Sequence, residues 1–216
     1  MRMQQVTKIE YTNFQKFYDE FNKKLFNDEL SQCLITLQRR TNSSSYFSPE
    51  AFSGRGCQIK TDEISLNPDS FGLADEVVLS NLAHEMVHMW NYHNGGISKN
   101  TPRYHDQNWA KKMVSIGLQP VSHDLPDSMV GQRVSHKIVI DSKFDKLVKS
   151  LLRKGLKINW KSKDFFADQL GIDPLEKERT PKKVKFVCLQ CEQLALATKE
   201  TKLVCGICFM DMVTDI

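Results

Sequence analysis

The first regular apolar stripe in the chain is aromatic: Phe14, Phe17, Phe21 and Leu25 recur at intervals of three and four. That spacing places side chains on one face of an α-helix. It predicts a helix over residues 12–27, capped by Thr12 or Asn13, with the stripe turned into a core. Asn27-Asp28 breaks the pattern. A strand is expected over residues 34–38, then a polar turn from Thr41 to Ser45. Another strand lies within 46–60, interrupted around Gly54-Arg55-Gly56, and a third over 63–67 is stopped by Pro68. From about Leu73 the period is helical again, and Val78, Leu82, Met86, Val87 and Trp90 form an apolar face. Asp75 and Glu76 sit in its first turn, where the helix dipole favours carboxylates, and Asn94-Gly95-Gly96 ends it.

A second helix is expected from His105 or Asp106 to Ile116, with Trp109, Met113 and Ile116 inward and Gly117 and Pro120 closing it. Beyond it the patterns predict a strand over 134–140, a helix over 142–153, a short strand over 157–160 and a helical turn or two over 164–170. Residues 174–185 are charged, contain two prolines and read as a linker. No internal repeat is visible. Interspersed helices and short strands make the fold class α+β.

Composition changes this picture little. The 216 residues are 40% hydrophobic and 26% charged, as in soluble globular proteins. Apolar runs are too short to span a membrane, and the first residues carry no apolar signal region. A cytoplasmic location follows, with nucleoid or nuclear association compatible. In that reducing compartment six cysteines read as metal ligands rather than disulfides. Charge adds more. The net charge of +4 is uneven, because residues 137–187 carry fourteen basic and seven acidic side chains. Phe144, Trp160, Phe165, Phe166 and Phe186 are interleaved with those lysines. Such a stretch suits a polyanion, single-stranded DNA included, although a solvated lysine-rich face would look the same.

The candidate chemistry begins with H-E-x-x-H. His84 and His88 stand four apart on the second predicted helix, so both rings leave one face and can hold one metal ion. Glu85 is one residue round, placed to take a proton from water at that metal. A catalytic zinc needs a third protein ligand and one open position. Asn94 stands where one zinc-protease class has a histidine, and the next glutamate after Glu85 is Glu176, so a later glutamate ligand is disfavoured. His105 opens the following helix and is favoured as third ligand, with His93, His123 and His136 less well placed. No oxyanion stabiliser can be chosen among Tyr46, Tyr92, Tyr104 and His123. The second constellation is C-x2-C-x13-C-x2-C: Cys188, Cys191, Cys205 and Cys208. Two such pairs, led into by strands at 184–187 and 203–204, form a closed four-thiolate zinc ribbon, whose zinc is structural. Cys33 and Cys57 have no partner pattern.

These residues resemble the SprT-like metallopeptidases. The likeness lies in FNKKLFNDELSQCLITLQR, EISLNP, LAHEMVHMW, YHDQNWAKKM and the four-cysteine ribbon. It implies a minimal zincin protease domain (1–136), a basic connecting segment (137–185) and a zinc ribbon (186–216). It also implies a catalytic zinc on His84, His88 and His105, Glu85 as catalytic base, and a structural zinc on the ribbon cysteines. Members of the family are DNA-associated, and the eukaryotic ones cleave proteins crosslinked to DNA, with DNA as activator. The stretch from Gln119 to Asp164 is longer than in the shortest members and resembles versions from bacteria and their mobile elements. The function so implied is a zinc endopeptidase acting on DNA-associated proteins. The competing expectation is a nucleic-acid-binding protein with a structural or vestigial metal site.

Overall fold

The aromatic stripe is buried as its spacing requires: Phe14, Phe17 and Phe21 lie on α1 (Val6–Leu25) and are at most 1% exposed. The computed structural model describes residues 5–40, 43–96, 104–125, 127–162, 183–198 and 200–214. The helix starts six residues before Thr12, so neither Thr12 nor Asn13 caps it. Its first turns escaped the periodic reading because Ile9 and Tyr11 face outward. They are fixed instead by a polar contact: the buried Glu10 carboxylate accepts the backbone N–H of Asn159, at 3.1 Å, and its side-chain amide, at 3.0 Å.

Three strands follow: β1 (Leu34–Leu37), β2 (Ser45–Ser53) and β3 (Lys60–Leu66). Their order is β1-β3-β2, with β1 parallel and β2 antiparallel to β3. The interruption expected near Gly54 is the turn between β2 and β3. A short 3-10 turn over Pro68–Ser70 then leads to α2 (Asp75–His93). α2 is buried around most of its circumference, with Val78, Leu79, Leu82, Ala83, Met86 and Val87 at most 1% exposed. β2 and β3 cover one side, and α1, α3 (Gln107–Ile116) and α4 (Lys143–Arg153) cover others. A helix enclosed in this way holds its polar side chains rigidly, which suits a site built on it.

Three expectations beyond α3 are corrected. β4 (Leu118–Ser122) was not foreseen, and it pairs antiparallel with β5 (Val134–Ile138). Pro120 argues against a strand, yet among the described residues β4 pairs only with β5, and a residue without an N–H is tolerated on such an edge. Residues 157–160 are not a strand: the N–H of Ile158 goes to the Asp75 carboxylate at 3.2 Å, and that of Asn159 to Glu10. The basic segment does not begin as a connector either. α4 buries Phe144, Val148 and Leu151 in the same core as α1 and α2. The chain divides into two compact units between Phe166 and Ala167, not at residue 136. Helical turns expected at 164–170, and the linker up to residue 182, lie outside the described residues.

The second unit is a small sheet in the order β7-β6-β8, formed by β6 (Lys183–Val187), β7 (Leu194–Thr198) and β8 (Val213–Thr214). Lys183 to Lys185 therefore belong to a strand, not to a linker. Residues 203–204 form no strand, and Val204 makes only a single bridge with Asp211. The core here is Phe186, Cys188, Cys205 and Met212. A core this small does not stabilise a fold without a staple.

Candidate metal centre and active site

α2 presents His84, Glu85 and His88 toward a cleft of about 1050 Å³. Its opposite walls are the start of β2 and residues 132–138 in and before β5, with Arg40, Tyr46, Asn81, His123, Arg133 and Lys137 among the lining. His105 is delivered from outside α2. It forms an isolated bridge with Gly131, with both backbone N–H···O distances at 3.0 Å. The next residue, Asp106, caps α3 by accepting the N–H of Trp109 at 2.7 Å. Its other oxygen accepts from Asn91 on α2 at 3.1 Å, and Asn108 donates to Asn91 at 3.2 Å. This clasp fixes the start of α3 against the end of α2, and so fixes His105 against His84 and His88.

The three rings converge through Nε2. His88 Nε2 is 3.2 Å and His105 Nε2 is 3.3 Å from His84 Nε2. The surrounding hydrogen bonds assign the protons. His105 Nδ1 donates to the Gly131 carbonyl at 3.0 Å, which leaves its Nε2 bare. Ser80 Oγ donates to the Val77 carbonyl at 2.8 Å, so it accepts from His136 Nε2, also at 2.8 Å. The neutral His136 then has a bare Nδ1, which accepts from His84 Nδ1 at 3.1 Å. His84 Nε2 is therefore bare as well. Two lone pairs facing each other at 3.3 Å repel, unless a cation lies between them. Ligand nitrogens on a tetrahedral zinc with bonds of ~2.0–2.1 Å lie ~3.3 Å apart, so the trio fits that ion.

Electrostatics agree. Burial, and then the neighbouring histidines, hold His84 and His88 well below the ordinary imidazole range. Burial lowers His105, and it brings His136 down to about 4. Neutral imidazole is the form that binds a metal. Trp109 is fully buried beneath the trio, its ring centroid 4.3 Å from that of His105 and 4.9 Å from that of His84. Glu85 is buried, and its Oε1 accepts a hydrogen bond from Ser45 Oγ at 2.7 Å.

Other histidines stand apart from the trio. His93 pairs with Asp62 at 2.6 Å, His123 lines the cleft, and His136 meets the trio at His84 Nδ1, away from the converging Nε2 atoms. Tyr46 also lines the cleft, but its hydroxyl donates to Glu63 at 3.2 Å, and Tyr92 packs on Phe47. Ser45, Ser80 and Gly131 were not foreseen as contributors. Each serves through a fold-dependent contact, which no local spacing announces.

In the second unit the sulfurs of Cys188, Cys191, Cys205 and Cys208 lie within 4.8 Å of one another. Two equivalent turns hold them. Glu192 N–H bonds to Cys188 O and Phe209 N–H to Cys205 O, both at 2.8 Å, with positive φ at Glu192 and Phe209. Backbone N–H groups of Cys208 and Ile207 bring the Cys205 thiol down to about 7. The protein thus has two candidate metal-binding sites of different chemistry.

The SprT-like family model matches residues 14–129, a span holding all four residues of the first site. The chain belongs to the SprT-like family. SprT-like proteins are generally placed with the zinc metallopeptidases. A Salmonella typhimurium protein described as "Uncharacterized protein in mucB 3'region" is 48% identical over 54 residues, which is 25% of this SprT-like chain and 73% of that protein. No solved structure matches it. No helix among its described residues is long and apolar enough to cross a membrane.

Proposed function

We propose that this SprT-like protein is a zinc-dependent endopeptidase of the zincin type that acts on DNA-associated proteins. The observation that carries the reading is the convergence of bare Nε2 atoms beside a serine-held carboxylate in an open cleft. His84, His88 and His105 would hold the zinc. Bound there, zinc supplies Lewis acidity, polarising the scissile carbonyl and making water acidic enough to ionise near neutral pH. Glu85 takes the proton of the attacking water while the water oxygen bonds to the carbonyl carbon. It then delivers that proton to the nitrogen as the C–N bond breaks. Ser45 orients Oε1 for both transfers. Among the described residues no fourth ligand atom joins the three. A structural site would fill that position and has no use for a held carboxylate. The four thiolates would hold a second, structural zinc.

The DNA-associated part rests on the basic stretch. Lys143, Lys146, Arg153, Lys154 and Lys157 are exposed on α4 and just after it, and Trp160 is half exposed. Exposed cations with an accessible aromatic suit single-stranded nucleic acid. Phe144 and Phe186 are buried, and they serve packing instead. Phe165 and Phe166 lie outside the described residues.

The test is cleavage of casein, and of a protein bound to single-stranded DNA, by zinc-loaded protein. Cleavage should stop on mild chelation and return with added zinc. No cleavage of either substrate by fully loaded protein would leave a nucleic-acid-binding protein with a structural metal site. Binding of fluorescent single-stranded DNA should weaken steeply with salt, and a Lys143→Glu, Lys146→Glu, Lys154→Glu variant should show a smaller slope.

A further inference from the structure

His136 is not one of the converging histidines, yet it packs against one of them from an unrelated element. It comes from β5, whose residues form the far wall of the cleft, whereas His84 lies on α2. Its ring closes a chain of directed hydrogen bonds. The Val77 carbonyl accepts from Ser80, Ser80 accepts from His136 Nε2, and His136 Nδ1 accepts from His84 Nδ1. Both ends of the chain are on α2, Val77 near its start and His84 at its middle, so the chain is anchored on the helix that carries His84. His136 cannot itself join the trio, because it meets His84 on the ring nitrogen opposite the converging Nε2.

We infer that His136 is a positioning residue for the metal site: as a neutral acceptor it holds the His84 proton on Nδ1, and so keeps His84 Nε2 bare and aimed at His88 and His105. The hydroxyl of Ser80 sets the tautomer that lets His136 do so. Most metal-ligating histidines have such a partner on the second nitrogen, usually a carboxylate, a carbonyl or water. His105 has the Gly131 carbonyl in that role. At His84 the partner is a second imidazole, and it ties the β4–β5 hairpin to the metal site.

The inference rests on reading the trio as a metal site, and the experiment separates the two. Full-length protein stripped of metal is titrated with Co²⁺ against a chromophoric chelator. Sulfur-to-cobalt bands in the near ultraviolet report the ribbon alone. Tetrahedral cobalt gives visible d–d bands in both sites, the tetrathiolate's at longer wavelength, so the three-histidine site is read from the shorter-wavelength visible bands that grow without the ultraviolet ones. His136→Ala should weaken cobalt binding at the histidine site by ~10–100-fold, with the ribbon affinity and the melting temperature of the metal-free protein unchanged. His136→Asn, which offers an acceptor oxygen where Nδ1 stood, should recover most of the loss. Ser80→Ala, which keeps every ring, should weaken binding in the same direction by less, and it serves if His136→Ala does not fold. Cobalt binding at wild-type strength in His136→Ala, or in Ser80→Ala where the alanine variant does not fold, overturns the inference. So does a loss that His136→Asn fails to rescue, or an equal weakening at both sites. A wild-type protein that binds cobalt only at the ribbon overturns the metal reading itself.

Discussion

A histidine is a ligand only through a ring nitrogen that carries no proton, and in this protein the hydrogen bonds on the far side of the His84 and His105 rings decide which nitrogen that is. His105 has its Nδ1 proton on the Gly131 carbonyl, with Nε2 turned to the trio. On the proposed reading, replacing it by alanine removes a ligand outright. His105→Ala should therefore lose zinc at this site by more than the ~10–100-fold of an outer-partner change, and lose cleavage with it. Isothermal titration after selective stripping checks this, and affinity within a few-fold of wild type would point to a different third ligand. A second residue-scale expectation concerns the unpatterned cysteines. Burial pushes the Cys33 thiol up to about 12, and burial likewise raises Tyr18 beside it. Cys57 is exposed. Iodoacetamide at pH 8 should label Cys57 first and Cys33 far more slowly in zinc-loaded protein, as read by peptide mass. The sign of the linkage is fixed: the Cys33 thiol stays protonated in the folded state where the unfolded thiol ionises. Its contribution to stability is thus complete below the ordinary thiol value of 9.0 and lost as pH rises toward about 12.

At the scale of elements, legibility followed burial on one face. α3 was readable because Trp109, Met113 and Ile116 face one core and Asp106 and Gly117 mark its ends. The start of α1, the strap at 157–160 and β4 were not readable. The start of α1 turns Ile9 and Tyr11 outward, and the other two have their backbone satisfied by distant groups, Glu10 and Asp75 for the strap and β5 for β4, none of which leaves a period in the sequence. In the ribbon the pattern misleads, because Leu194 and Leu196 are exposed on β7 while Ala195 and Ala197 pack inward. His84, Glu85 and His88 were legible because a helix makes four-residue spacing a shared direction. Gly117 joins two of these elements. Its φ is 100°, and a Cβ there would lie 2.3 Å from the Ser142 side chain that caps α4. Gly117→Ala should therefore cost about 1–3 kcal/mol, since the positive φ is strained and the α4 cap must move. Urea unfolding checks this, and an unchanged midpoint would contradict the close approach of Gly117 to the α4 cap.

For the whole molecule, two compact units carry two candidate metal sites with different access. Three neutral imidazoles facing an open cleft should release zinc readily, and four thiolates around a closed position should hold it tightly. Elemental analysis of protein purified without chelator should give about two zinc per chain. Brief treatment with a mild chelator should leave about one, with the ribbon still folded by NMR. Retention of both ions, or loss of both together, would contradict the assignment of one open and one closed site. The central claim joins the first site to chemistry through Glu85, and it is tested most directly by one paired measurement. Wild type and Glu85→Gln, each shown to hold equal zinc, are compared for cleavage of the same unfolded protein substrate. The amide keeps the shape of the side chain and removes the base, so cleavage should fall by ~100- to 10,000-fold, or below detection. Cleavage by Glu85→Gln at the wild-type rate would contradict the account.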